Sequence, residues 1–405
     1  MNTAVRRRAY AGPPLFSIGL RPFFLLACAW PAATVPLWVM AWLGVEPFAG
    51  AMSRDWHVHE MLFGYLAGVA AGFLLTAVPN WTGRLPVIGL PLAGLVALWA
   101  AGRVAMVLAP AAPWATVVDT AFLIVFAGVI WREVLSGRNW RNLPVGVLVS
   151  LLALANVGFH LRAAAPELSL VAERLALGVA AVLIALIGGR VTPSFTRNWL
   201  IKRGATALPA PASRFDAAVI AVTAVAVAAW AIAPDGRPTG GILLLAGGAN
   251  LARLARWRGF ACGAEPLVWI LHVGYAWLGL ALLGLGAAAV APDQVARSAG
   301  IHALTVGAIG VMTLAMMTRA TRGHTGRSLE TGPWTLTLYA LANLAAVVRV
   351  AAALAPQQQP LLLGLSSIAW SAAFALFLLV YGPMLIGPRA VPAGAPPLGT
   401  PRRAA

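Results

Sequence analysis

The chain has 405 residues, of which 60% are hydrophobic and only 10% charged, whereas soluble domains carry about 25% charged residues. This composition excludes a soluble globular protein and indicates a polytopic membrane protein. The formal net charge of +17 would suit nucleic acid, but in so apolar a chain we attribute it to positively charged cytoplasmic loops and expect no nucleic-acid partner.

Apolar stretches long enough to cross a bilayer, at about 20 residues each, recur along the whole chain. In order they lie at 20–44, 57–79, 87–109, 113–134, 143–163, 169–192, 215–233, 239–257, 266–290, 298–320, 333–355 and 361–386. We therefore predict an all-α, polytopic transmembrane bundle of about twelve helices. The arginines before the first stretch resemble the start of a signal peptide, but prolines interrupt the stretch and no small-residue cleavage site follows. We interpret it as a retained first helix.

Connector composition predicts the domain organisation. Residues 1–386 form a single transmembrane domain, in which the longest hydrophilic connector, 202–214, separates two six-helix halves, 1–201 and 215–386. No internal repeat is evident. The Pro/Gly-rich tail, 387–405, is predicted to be a disordered cytoplasmic segment.

Charge predicts the orientation. With the N-terminus in the cytoplasm, most arginines and lysines of the connectors lie inside, and only Arg54, Arg162, Arg237 and Arg297 lie outside. This bias holds loop after loop, so the positive-inside rule favours an N-in, C-in topology.

Ionisable residues within the membrane are costly and usually mark a functional site or a structural pair. The predicted topology brings four of the six histidines to the outer part of the bilayer, from three helices: His57, His59, His160 and His302. Other polar residues at this depth are Glu60, Arg103, Asp119, Asn156, Glu173, Arg174, Asn343 and Arg349. His272 and the loop residue His324 lie toward the inner side, in a second polar region rich in arginine and glycine.

The residue types at the outer side favour transition-metal or haem ligation. Neutral imidazole suits copper, zinc and iron, and haem iron commonly takes a histidine. Neither cysteine, Cys28 or Cys262, accompanies these positions, which excludes a thiolate site, and no CxxCH motif provides covalent haem attachment. A hard-cation site would need more carboxylates. The alternative is that interfacial histidines are unremarkable.

The stretch "WHVHEMLFGY" leaves two arrangements open. On a helix His57 and His59 point about 200° apart, so they would serve two neighbouring sites, and His57 would share a face with Glu60. In an extended segment they would share a side and could hold one ion, with the helix starting near Glu60. We favour the extended segment and the shared ion.

Each remaining polar residue has a structural and a functional interpretation. Arg103 and Asp119 form an interhelical ion pair or take part in function, and Arg349, Arg174 or Arg103 could neutralise haem propionates. Glu173 and Arg174 are interpreted as structural. His272 bonds a backbone carbonyl, or is a haem ligand or proton-relay residue. His324 is a cofactor residue or an ordinary loop histidine. Met312, Met316 and Met317 are interpreted as packing.

Five long motifs together resemble the NnrS family over nearly the whole chain and in the same order. They are "FSIGLRPFFLLA", "WHVHEMLFGY", "GFLLTAVPNWTGR", "GGRVTPSFTRN" and "HALTVGAIGVMTLAMMTRATRGHTGR". The resemblance implies a bacterial inner-membrane protein of about twelve helices that carries haem and copper and is associated with denitrification and defence against nitric oxide. It also implies the candidate ligands His57, His59, His160, His272, His302 and His324.

From these observations we expect a metalloprotein acting on nitric oxide, plausibly an oxidoreductase that reduces it to nitrous oxide. Two or three of the outer histidines would hold copper or non-covalent haem b, and Glu60 would handle protons or support a ligand. Electrons would come from quinol or a redox protein. The alternatives are a membrane transporter, against which the lack of an inverted repeat speaks, and a sensor or cofactor-insertion protein without turnover.

Overall fold

The computed structural model describes residues 10–50 and 52–390, and these residues form twelve long helices and no strand. The helices are α1 Leu20–Trp42, α2 Arg54–Thr82, α3 Leu90–Leu108, α4 Pro113–Ser136, α5 Leu143–His160, α6 Pro166–Lys202, α7 Arg214–Ile232, α8 Arg237–Ala255, α9 Pro266–Val290, α10 Arg297–His324, α11 Pro333–Leu354 and α12 Gln359–Ile386. The arginines before residue 10 and the tail from 391 onward lie outside the described residues. The predicted all-α bundle is confirmed.

Eleven of these helices are long and apolar enough to cross a membrane. The twelfth, α8, has 19 residues, which at about 1.5 Å per residue nearly spans the hydrocarbon core. Its hydropathy is lowered by Asn250 and Arg253, and both side chains are buried against other helices. We count it as a span because its polar residues face protein and its outward residues are apolar. The predicted halves 1–201 and 215–386 stay a prediction.

Three helices extend beyond their predicted ends. Helix α6 continues through Pro193 to Lys202, and α10 continues to His324, which is the last residue of a helix and not a loop residue as predicted. Helix α2 begins at Arg54, where Ser53 caps it by accepting a hydrogen bond from the Trp56 amide, and ends at Gly83 with a positive φ of 70°. Hydropathy marks the membrane boundary, whereas backbone hydrogen bonds carry a helix further into the polar region.

The innermost helices are α2, α6 and α10. The most apolar window of each is 78%, 67% and 67% buried in protein, whereas the other spans lie between 39% and 56%. Each of the three contains a π-helical segment: Glu60–Leu66, Ile184–Gly188 and Ala303–Val311. Such segments are rare and frequently occur at functional sites. The candidate histidines of α2 and α10 lie directly before two of them.

Candidate cofactor and metal sites

His57 and His59 point into different parts of the protein. Because α2 already includes Trp56, the favoured extended segment is wrong, and so is the shared ion. His57 stacks on Trp38 of α1 with ring centroids 4.0 Å apart. His59 instead faces Asp119 of α4. Serine capping at Ser53 starts the helix a full turn earlier than the apolar pattern indicates, and helical geometry then separates the two rings.

His59 belongs to a buried cluster that we call the Asp119 network, formed by His59, Glu60, Arg103, Asp119, Asn156 and His160. Asp119 Oδ2 lies 3.1 Å from His59 Nε2 and 3.0 Å from His160 Nε2, and it accepts a hydrogen bond of 2.9 Å from the Asn156 amide. His59 Nδ1 lies 3.0 Å from Glu60 Oε1. The network therefore joins α2, α3, α4 and α5 at the end of the bundle where α2 begins.

Arg103 connects the two carboxylates of the Asp119 network. Its guanidinium donates to Glu60 Oε2 at 2.6 Å and pairs with Asp119 Oδ1, so the ion pair, one of the two interpretations left open for these residues, is present. Trp30 also donates to Glu60 Oε2, at 2.7 Å. Glu60 thus faces Arg103 and His59 and not the side of His57, which corrects the predicted shared face. The π-helical segment starting at Glu60 changes the register after His59 and turns this carboxylate inward.

Formal charge in the Asp119 network favours one additional cation. Arg103 carries one positive charge, whereas Glu60 and Asp119 carry two negative charges, and all three side chains are buried. An uncompensated buried charge is strongly destabilising. A proton on His59, whose two ring nitrogens each face a carboxylate, or a bound metal cation supplies the missing charge.

The ligand atoms of the Asp119 network are close enough for a single metal ion. One atom each from His59, Asp119 and His160 lie within 4.8 Å of one another. Two imidazoles and a carboxylate suit copper, zinc or iron. His59 and His160 were predicted as candidate ligands, whereas Asp119 was considered together with Arg103. The spacing of residues on separate helices carries no signal for a shared site.

Gly64 allows Arg103 to approach α2. A Cβ at Gly64 would lie 2.8 Å from Arg103 Nη1 and 3.1 Å from Glu60 Oε2. We expect Gly64→Ala to destabilise the protein by about 1–3 kcal/mol because it crowds a buried ion pair. Gly94→Ala is the matched control, since no atom lies within 4 Å of its added Cβ and alanine is the better helix former by about 1 kcal/mol. Thermal unfolding in detergent measures both, and equal melting temperatures would contradict the crowding.

His57 and His302 line a second site, a cavity of ≈ 290 Å³ that we call the His57–His302 cavity. Its wall includes Trp38, Arg54 and Arg349, and otherwise mostly apolar side chains from α1, α2, α6, α10 and α12. The four outer histidines therefore form two pairs and not one cluster. The volume lies near the lower end of the range of ligand pockets, about 300–1,000 Å³.

The polar atoms of the His57–His302 cavity are those of a ligand site. His302 Nδ1 lies 2.7 Å from the Ser298 carbonyl, an arrangement in which Nδ1 carries the proton and Nε2 keeps its lone pair, as in most metal-ligating histidines. Within the described residues His57 Nδ1 and Arg349 Nη1 are buried without a hydrogen-bond partner. Buried polar groups are rarely left unpaired. Two imidazoles, an unpaired guanidinium and an apolar wall fit a haem with its anionic propionates.

The other predicted residues lie apart from both sites, except Glu173, which lines the His57–His302 cavity. His272 lies 3.2 Å from the Val268 carbonyl and 3.3 Å from Thr196 Oγ1, which supports the structural interpretation of this residue. His324 ends α10 at the far end from His302. Glu173 pairs with Arg54 at 2.5 Å, and Arg174 donates to the Ala231 carbonyl at 2.9 Å. Their structural interpretation is consistent with these contacts.

The sequence analysis also missed Trp38 and a buried inner network. Trp38 lies about one turn before the end of α1, where tryptophan usually indicates packing or the membrane interface. In the inner network Arg253 donates to Asp216 at 2.9 Å, to Tyr275 at 2.9 Å and to the Ala185 carbonyl at 2.7 Å. These partners all belong to the protein itself, so we interpret the inner network as structural. Arg253, within the eighth apolar stretch, was the only residue in the sequence that indicated this network.

Comparison with known proteins adds one match. A family model described as NnrS protein matches residues 14–389. No curated protein matches the chain.

Proposed function

The chain belongs to the NnrS family, and from this membership and the two histidine sites we propose that it is a haem- and copper-containing protein of the bacterial inner membrane that removes nitric oxide. Family membership associates it with nitric oxide. The observation that carries the proposal is the pairing of His57 with His302 in a cavity that also contains an unpaired arginine.

We assign haem b to the His57–His302 cavity. The cavity has a volume of ≈ 290 Å³, two imidazoles and the guanidinium of Arg349, whereas the Asp119 network is filled by its own side chains. Apolar walls around a few placed polar groups are typical of cofactor sites. Propionates would supply the negative partner that Arg349 Nη1 lacks among the described residues.

Copper suits the Asp119 network better, because a single ion needs only the ligand atoms of His59, His160 and Asp119. Imidazole nitrogen is a good copper ligand. A monovalent copper ion would also supply the one positive charge that the network lacks. Glu60 would not contact the ion, since its oxygens face His59, Arg103 and Trp30. It would orient His59, as carboxylates commonly do for metal-bound histidines.

Reduction of nitric oxide to nitrous oxide consumes one proton and one electron for each nitric oxide molecule. When bound, haem and copper supply the redox chemistry. The chain itself supplies the mostly apolar wall of the His57–His302 cavity, which suits a small neutral molecule. Quinol or a redox protein would deliver the electrons.

Purified protein tests the proposal. We expect a Soret absorption band, copper in elemental analysis, and consumption of nitric oxide with formation of nitrous oxide when a chemical reductant is added. A protein that binds haem and copper but leaves nitric oxide unchanged under reduction would be a sensor or binder, and the enzymatic part of the proposal would fail. A colourless preparation without metal would overturn the cofactor assignment and favour transport.

A further inference from the structure

The three innermost helices share a sequence pattern. When α2, α6 and α10 are aligned with one another without a gap, several positions have the same residue or a similar one in all three helices. The clearest sets are Gly64, Gly178 and Gly307 near the start, and Thr82, Thr196 and Thr325 at the other end, where Thr325 directly follows α10. The ionisable residues His59, Glu173 and His302 also align. The π-helical segments of α2 and α10 begin at aligned residues, Glu60 and Ala303. An internal repeat, which was not evident from the sequence alone, is therefore present.

Helix packing follows the same repeat. The twelve described helices divide into three groups of four, α1–α4, α5–α8 and α9–α12, with the aligned helix second in each group. The last helix of each group packs on the first of the next: α4 on α5, α8 on α9, and α12 on α1, which closes the ring. This arrangement has three units of four helices each.

The two candidate sites occupy equivalent places in this ring. Helices α2, α3, α4 and α5 supply the Asp119 network, with His59 on α2 and Arg103 on α3. The corresponding helices α10, α11, α12 and α1 line the His57–His302 cavity, with His302 on α10 and Arg349 on α11. His59 and His302 are thus equivalent residues, and α2 adds His57 to the second site from its other face.

An apolar cavity of ≈ 100 Å³, here called the axial cavity, lies where the three inner helices meet. Apart from Phe24 of α1, its wall comes from α2, α6 and α10. The wall residues fall in layers of aligned positions, which is independent support for the repeat. Two layers are Leu66 with Ala180 and Ile309, and Val69 with Leu183 and Met312.

The axial cavity adjoins the His57–His302 cavity. Ile309 lines both cavities. Tyr65 lines the His57–His302 cavity, and its hydroxyl bonds Thr313, which lines the axial cavity. The hydroxyl of Thr313 also donates to the Gly310 carbonyl, so this polar group has partners within the protein.

We propose that the axial cavity is a binding site for a small, neutral, apolar gas molecule, held beside the His57–His302 cavity. Small cavities with apolar walls bind xenon or small apolar molecules. Nitric oxide has the required size and polarity, and naming it as the natural occupant rests on the proposed function. The cavity and its affinity for an apolar gas do not depend on the proposed function.

Xenon tests the proposal without nitric oxide or cofactor. In crystals of the full-length protein pressurised with xenon, we expect anomalous scattering in the axial cavity of the unmodified protein. Ala180→Leu fills the cavity and should remove that signal, whereas Ala228→Leu, on the exposed face of α7, should retain it. Ala70→Leu, at a less tightly packed cavity position, replaces Ala180→Leu if that variant does not fold.

The outcomes separate the two proposals. No xenon in the unmodified protein, or xenon retained in a folded filled variant, would overturn the axial gas site and leave the nitric oxide proposal unaffected. Xenon binding in a protein that does not consume nitric oxide would support the gas site while the proposed reaction fails.

Discussion

Replacing His302 with alanine is expected to remove haem from the purified protein and with it the Soret band. The Ser298 carbonyl, 2.7 Å from Nδ1, orients the His302 ring. The lone pair on Nε2 is therefore available to a haem iron in the His57–His302 cavity. His57→Ala should have the same effect, because this ring supplies the other imidazole of the cavity. Absorption spectra and haem content per protein measure both variants.

Two histidine variants serve as controls for this experiment. His272→Ala should keep the Soret band, since that ring lies against the Val268 carbonyl and Thr196 outside both sites. His160→Ala should keep the Soret band and lose copper, because His160 belongs to the Asp119 network. A full Soret band in folded His57→Ala and His302→Ala proteins would refute the haem assignment. If none of these variants loses copper, the copper assignment is refuted.

Replacing Arg103 with methionine is expected to destabilise the protein by about 3–5 kcal/mol. Arg103 is buried and pairs with both Glu60 and Asp119, which are fully buried. Its removal would leave two carboxylates in the bundle interior with one histidine proton to compensate them. Unfolding of the detergent-solubilised protein by titration with denaturing detergent measures the change in free energy.

A surface arginine and a charge-neutral variant complete this test. Arg132 pairs with Glu133 with 57% of its side chain exposed, so Arg132→Met should cost about 0–1 kcal/mol. Combining Arg103→Met with Glu60→Gln and Asp119→Asn removes the buried charges and should recover much of the lost stability. If Arg103→Met costs no more than Arg132→Met, the Asp119 network does not depend on charge pairing.

Helix number was predictable from the sequence because the bilayer imposes a local rule. Each span must satisfy its own backbone hydrogen bonds over a fixed apolar length, and all twelve predicted stretches coincide with helices. Helix ends were less predictable. The polar continuation of α6 to Lys202 and of α10 to His324 has no hydropathic signal, and the start of α2 depends on the cap formed by Ser53.

Site composition was partly predictable. Predicted depth brought His57, His59, His160 and His302 together, and in the structure they form two pairs, His57 with His302 and His59 with His160. Their pairing was not predictable, because it depends on which helices are neighbours and on the rotation of each helix about its axis. The roles of Asp119 and Trp38 were missed for the same reason, since they approach the histidines from other helices.

The sequence by itself determined the class of the protein and the number of its helices, because these follow from composition and from the apolar length of single segments. Its long motifs indicated the family. Only the tertiary structure decided that His57 and His59 serve different sites and that α2, α6 and α10 surround a common axial cavity. The physical reason is helical geometry: residues two apart point in nearly opposite directions, so neighbours along α2 face different helices, while residues far apart in the chain meet.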